Sequence, residues 1–153
     1  MEYAKDSAFV KDFILRTKEN LCCDMHPYEI TQFVNSLVGL LVLPKEKYYS
    51  NIQNSMVDPK LLEEINLRII VGRSNKYYNL KQIVRHMRNA ISHFHLECKA
   101  DLNSHEIDRI IFSDYDAEGE TLRFQIDLSV DLVRKFVDQF SDAIARSIAP
   151  DVD

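Results

Sequence analysis

Residues 79–97 read Asn-Leu-Lys-Gln-Ile-Val-Arg-His-Met-Arg-Asn-Ala-Ile-Ser-His-Phe-His-Leu-Glu. Leu80, Ile83, Val84, Met87, Ala90, Ile91 and Phe94 recur at helical spacing, and at about 100° per residue they fall on one stripe. The pattern predicts a single amphipathic helix over 79–97. Its other side carries Arg85, His86, Arg88, Asn89, Ser92 and His93, with no acid before Glu97. Asn89 and His93 are four residues apart, so they stack on one face. Arg88 and His93 are five apart and diverge by about 140°. One helix therefore does not converge them. Two such helices meeting at a two-fold axis would bring Arg88 of one copy near His93 of the other.

The flanking sequence predicts more helices. Residues 3–21 carry Phe9, Val10, Phe13, Ile14 and Leu21 on one side, the pattern of a first helix. Residues 27–42 form a second, with Asp24 or His26 as cap, Pro27 in its first turn and Pro44 beyond its end. Residues 45–58 read as a polar excursion in which Tyr48 and Tyr49 are candidates for base stacking or for packing at the bundle edge. Asp58-Pro59 is a good start for a third helix over 59–71, closed by Gly72. Residues 73–78 read as a basic, aromatic loop. Farther on, Leu122, Phe124, Ile126 and Leu128 alternate with polar residues, the period of a half-buried strand. Residues 106–113 and 121–128 are expected to pair as a hairpin through the loop 114–120. Ser129 caps a last helix to about residue 147. The expectation is one mainly α domain over 1–153, with a small β-hairpin before the last helix.

The 153 residues leave room for a real core, and 46% are apolar. Glycine (3) and proline (4) are scarce, which favours helices. No apolar run approaches the roughly 20 residues of a membrane span. The charged N-terminus, Met-Glu-Tyr-Ala-Lys-Asp, lacks the apolar core of a signal peptide. Cys22, Cys23 and Cys98 make neither a disulfide framework nor a zinc spacing, so a reducing, cytoplasmic setting is expected. The net charge is −5, but it is segregated. Residues 65–96 contain no Asp or Glu and hold Arg68, Arg73, Lys76, Lys81, Arg85 and Arg88 with His86, His93 and His95. Such a window can create a local positive field on an acidic protein, and a phosphate backbone responds to that field. Arg73, Lys76, Arg85 and His86 are the expected RNA contacts.

Arg88-Asn89-x-x-x-His93 resembles the Arg-x(4–6)-His motif of the HEPN superfamily (higher eukaryote and prokaryote nucleotide-binding domains), whose arginine is commonly followed by Asn. The wider order is also similar to prokaryotic members. A helix runs into Leu-Leu-Val-Leu-Pro-Lys-Glu-Lys (residues 40–47), and the Arg-Asn helix, a hairpin and a last helix follow. The resemblance implies an up-and-down helical bundle and a site built across a homodimer. It also implies a ribonuclease, a toxin or phage-defence effector, or alternatively a non-catalytic domain that binds RNA, nucleotide or a protein. A partner such as an antitoxin or regulator would accompany the toxin reading. Toxins paired with a nucleotidyltransferase antitoxin often carry Tyr two residues after the motif His. Here that position is His95, so tyrosine adenylylation there is not available.

The residues suit metal-independent RNA cleavage. A 2′-hydroxyl attacking its own phosphate needs a base, and histidine titrates near neutral pH. The phosphorane gathers negative charge that a guanidinium can clamp. His93 and Arg88 fill these roles, with Asn89 holding the ring or a phosphate oxygen. No cofactor and no metal is expected. His93 and Glu97 lie one predicted turn apart, but His86 is about 10 Å away along the axis, too far to share one ion.

Overall fold

The computed structural model describes residues 11, 14–19, 29–42, 50, 52–73 and 77–147. Residues 14–19 are helical (α1). Then come α2 (Glu29–Leu37), which runs into a π-helical turn over Val38–Val42, and a 3-10 turn at Asn54–Met56. After these follow α3 (Pro59–Asn66), β1 (Ile69–Val71), α4 (Leu80–Ser92) and β2 (Leu96–Ala100). The chain ends in β3 (Ile107–Tyr115), β4 (Leu122–Ser129) and α5 (Val130–Ser147). The four strands make one antiparallel sheet in the order β1-β4-β3-β2. This corrects the expected small hairpin on a helical bundle. Strands β3 and β4 do pair, but each also gains an outer partner.

Strand β1 lies within a segment expected to be helical, and β2 begins on the last two residues of another. Helix α3 stops at Asn66, whose amide donates to the carbonyls of Leu62 (2.9 Å) and Tyr78 (3.0 Å) and accepts from the Tyr78 N–H (2.8 Å). That side chain satisfies backbone groups at the helix end and ties it to the approach of α4. The β-branched run Ile69-Ile70-Val71 then pairs with Gln125 and Ile126. Leu67 and Ile70, apolar residues of that predicted helix, are 78% and 59% exposed.

Helix α4 ends at Ser92, not at Glu97, with His93 as its C-cap. The His95 N–H donates to the Ala90 carbonyl (2.8 Å) and the Phe94 N–H to Ile91 (3.1 Å). This is the Schellman arrangement, which places Phe94 at the left-handed position usually given to Gly. Phe94 has φ 60° and is 80% exposed, so it leaves the apolar stripe. A left-handed non-glycine residue costs roughly 1–2 kcal/mol. Phe94→Gly is therefore expected to raise Tm by about 2–4 °C, as read from thermal melts. An unchanged or lower Tm would show that the Phe94 ring offsets its backbone cost.

The remaining boundaries follow their caps. The Asp58 carboxylate accepts from the Lys60 N–H (2.9 Å), and the Ser129 hydroxyl from the Leu132 N–H (3.1 Å). Asn79 and Gln82 form a capping box at the start of α4. The Leu80 N–H also donates to Asn54 (2.8 Å). Leu80, Ile83, Val84, Met87, Ala90 and Ile91 are buried and pack α4 against β3 and the π-helical turn. On the sheet, Ile110, Phe112 and Asp114 of β3 stand opposite Leu128, Ile126 and Phe124 of β4. These six positions share one face, because side chains alternate along a strand. Helix α5 closes the core with Val133, Phe136, Val137 and Phe140.

Residues 3–10 of the expected first helix, Asp24, His26, Pro27, Pro44, Tyr48, Tyr49 and the tail after Ser147 lie outside the described residues. No described helix is long and apolar enough to cross a membrane.

Candidate active site

The polar side of α4 faces the turn end of the β3–β4 hairpin. Arg85, His86, Asn89 and His93 there line a cleft of about 540 Å³. Its other wall comes from His95, Asp114, Tyr115, the hairpin residues 116–119 and Arg123. Asn89 and His93 thus share one cleft, as their four-residue spacing requires.

Arg88 does not line it. It is half-buried on α4, and helical geometry turns it about 160° from His86. Arg73 lines a separate groove with Tyr77 and Tyr78. Lys76 lies outside the described residues. The expected RNA contacts are therefore divided between surfaces. The cleft is also not purely basic, since Asp114, Asp116 and Glu118 belong to it. Asp116 has a local task. Backbone N–H groups of Thr121 and Glu120 hold its carboxyl below the usual range, and it fastens the hairpin turn.

The central contact is one that the sequence reading missed. His86 Nδ1 lies 2.7 Å from Asp114 Oδ2, and the Asn89 side-chain amide donates to the same oxygen at 3.2 Å. The side chains of His86 and Asp114 are 13% and 8% exposed. The imidazole stacks on Phe124, with centroids 4.4 Å apart and planes 5° from parallel. Tyr78 presents its edge to both rings. A carboxylate can only accept, so the proton between the pair sits on Nδ1, and Nε2 is left as the acceptor nitrogen of the ring. The signal for Asp114 was available. Extending the alternation Ile110, Phe112 by two residues places it on the inner face, directly beneath α4.

Burial pushes His86 below its ordinary value of 6.5. Asp114 opposes this, while Arg85 and Arg73 add to it. At neutral pH the pair is thus a neutral ring donating to a carboxylate, not an ion pair. The consequence for stability has a definite sign. As pH falls through 6.5, the unfolded chain takes up the proton more readily than the folded one. Stability therefore falls with pH in that window and stays lower beneath the folded-state value. Melts across pH are expected to show the parent losing more stability below 6.5 than His86→Asn. Parallel curves would contradict it.

The two motif-proximal histidines form a second ring array. His93 stacks on His95 (6.0 Å), and His95 meets the edge of Tyr115 (4.8 Å). Glu97 lies on β2, so it has no helical one-turn relation to His93. Among the described residues, no group of three His, Cys, Asp or Glu side chains could hold a metal ion.

An antiparallel sheet under a helix that ends in Arg-Asn-x-x-x-His is the setting for the comparison with known proteins. The family model described as HEPN pEK499 p136 matches residues 1–150, and the chain belongs to that HEPN family. No curated protein and no solved structure matches it. Membership supports a function that involves nucleotides or RNA.

Proposed function

We propose that this HEPN protein is a metal-independent endoribonuclease of the toxin or defence kind. The observation that carries the reading is the shared cleft of Asn89 and His93 at the C-terminal end of α4. His93 is exposed there and can exchange a proton with RNA. Asn89 is anchored to Asp114, which fixes its place beside His93. Arg88 belongs to the site through a second copy of the chain. Its direction away from the cleft supports a homodimer in which α4 faces its symmetry mate, so that each cleft receives the other chain's guanidinium. The products are a 2′,3′-cyclic phosphate and a 5′-hydroxyl. Arg85 is exposed at the cleft and Arg73 lies in the neighbouring groove, where both serve as phosphate contacts. An antitoxin or regulatory partner would restrain the enzyme in a cytoplasm full of RNA.

A second reading is a domain that binds RNA, nucleotide or a protein without cutting. The acids in the cleft favour its protein-binding form, because Asp114, Asp116 and Glu118 repel phosphate. Incubating the purified protein with total RNA separates the two. Fragmentation that grows with time and enzyme concentration supports the ribonuclease. Retention of intact RNA on the protein supports the binding module.

A further inference from the structure

The ribonuclease reading gives the proton chemistry to His93 alone, yet the most firmly held imidazole in the cleft is another. We propose that His86, held through Nδ1 by the buried carboxylate of Asp114, is a second proton-transfer residue for RNA cleavage. Its Nε2 takes the 2′-hydroxyl proton, and His93 protonates the leaving 5′-oxygen. The proposal rests on the ribonuclease reading and names the partner that His93 needs.

The geometry favours this division. Cleavage by the 2′-oxygen is an in-line displacement, with the entering and leaving oxygens on opposite sides of phosphorus. A base and an acid are therefore required on opposite sides of one phosphate. His86 and His93 are seven residues apart on α4, two turns or about 10 Å along the axis, and turned only about 20° from each other. A phosphate with a hydrogen bond of about 3 Å on each side fits between them. Both line the same cleft. A lone histidine would have to serve both oxygens in turn.

The ring of His86 is also prepared for the task. Its plane is fixed by the stack on Phe124 and its tautomer by Asp114. Burial keeps it neutral near neutral pH, the state a base requires. The charges that bear on it are Asp114 on β3, Arg85 on its own helix and Arg73 after β1, while Arg123, Asp116 and Glu118 line the same cleft. Tyr78 adds a neutral ring edge. Asp114 does not reach the substrate in this scheme. It is a positioning residue that orients His86 and steadies the imidazolium formed during the step.

The step balances. The 2′-oxygen gives its proton to His86 Nε2 and its electron pair to phosphorus. The bond from phosphorus to the 5′-oxygen breaks, and that oxygen leaves with the pair and takes the proton of His93. A cyclic phosphate and a 5′-hydroxyl result, and solvent exchange restores both rings.

The test is the pH dependence of RNA oligonucleotide cleavage, from about pH 5 to 9, by the parent, His86→Asn, Asp114→Asn and His93→Ala. Asn at 86 keeps a donor for Asp114 but has no ring nitrogen to accept a proton. His86→Asn is expected to lower kcat about 10²–10⁴-fold with little change in KM, and to abolish the acid limb of kcat/KM. Asp114→Asn should lower kcat comparably by favouring the wrong tautomer. Asp114→Glu should restore part of the loss. A parental kcat and pH profile in His86→Asn, with His93→Ala inactive, would overturn the two-histidine scheme and leave the ribonuclease standing. A parent that does not cleave RNA would overturn both. Should His86→Asn fail to fold, imidazole NMR of the parent decides. A proton on Nε2 with none on Nδ1 would overturn the proposal.

Discussion

His93→Ala is expected to lower RNA cleavage about 10²–10⁴-fold, the range for loss of a general acid or base. The fold should survive, because His93 is the exposed C-cap of α4 and its role in the helix end is carried by backbone atoms. Its N–H donates to the Asn89 carbonyl at 3.0 Å, and Ala supplies the same donor. Circular dichroism and Tm should match the parent within the effect of a surface substitution, about 0.5 kcal/mol. Single-turnover cleavage then reads the chemistry alone. Parental rates in a folded His93→Ala protein would remove this residue from the reaction.

Arg88→Ala is expected to cost a comparable factor, about 10²–10³, through lost stabilisation of the phosphorane charge. Arg88→Lys should recover little, since an ammonium does not reproduce the bidentate fork. Arg88 and His93 diverge on one helix, so the account places them in one site only between copies. Mixing Arg88→Ala with His93→Ala protein creates heterodimers with one intact composite site and one doubly inactive site. Random assortment makes half the dimers mixed, so about a quarter of parental activity should return. No recovery after confirmed subunit exchange would place the site within one chain. Sedimentation of an active protein as a monomer would do the same.

How much of this was legible in the sequence depended on what each segment answers to. The buried stripe from Leu80 to Ile91, the caps Asp58 and Ser129, and the alternation of Leu122 to Leu128 are local signals, and the structure follows them. Strand β1 was hidden because Ile69 and Ile70 continue a plausible helical stripe, and only distant pairing with β4 decides otherwise. Strand β2, Leu-Glu-Cys-Lys-Ala, has little alternation of its own and pairs with β3 along its length. Phe94 belongs to the stripe by spacing, yet the turn that reverses the chain claims it for a left-handed position. At the site, the spacing of Asn89 and His93 placed them together, while the long-range contact of His86 with Asp114 crosses from helix to sheet. Strand β3 runs two residues past the expected end at Ser113, so Asp114 lies on the strand and not in the loop. One more inward position would have placed a carboxylate under the basic face of α4.

The central claim is that this chain cuts RNA by internal attack of the 2′-hydroxyl without a metal. The most direct measurement is the chemistry of the fragment ends, with and without EDTA, after incubation of a defined RNA with the purified protein. Internal attack without a metal gives 2′,3′-cyclic phosphate and 5′-hydroxyl ends, formed at the same rate under both conditions. Fragments ending in a 3′-hydroxyl, or cleavage stopped by EDTA alone, would contradict it.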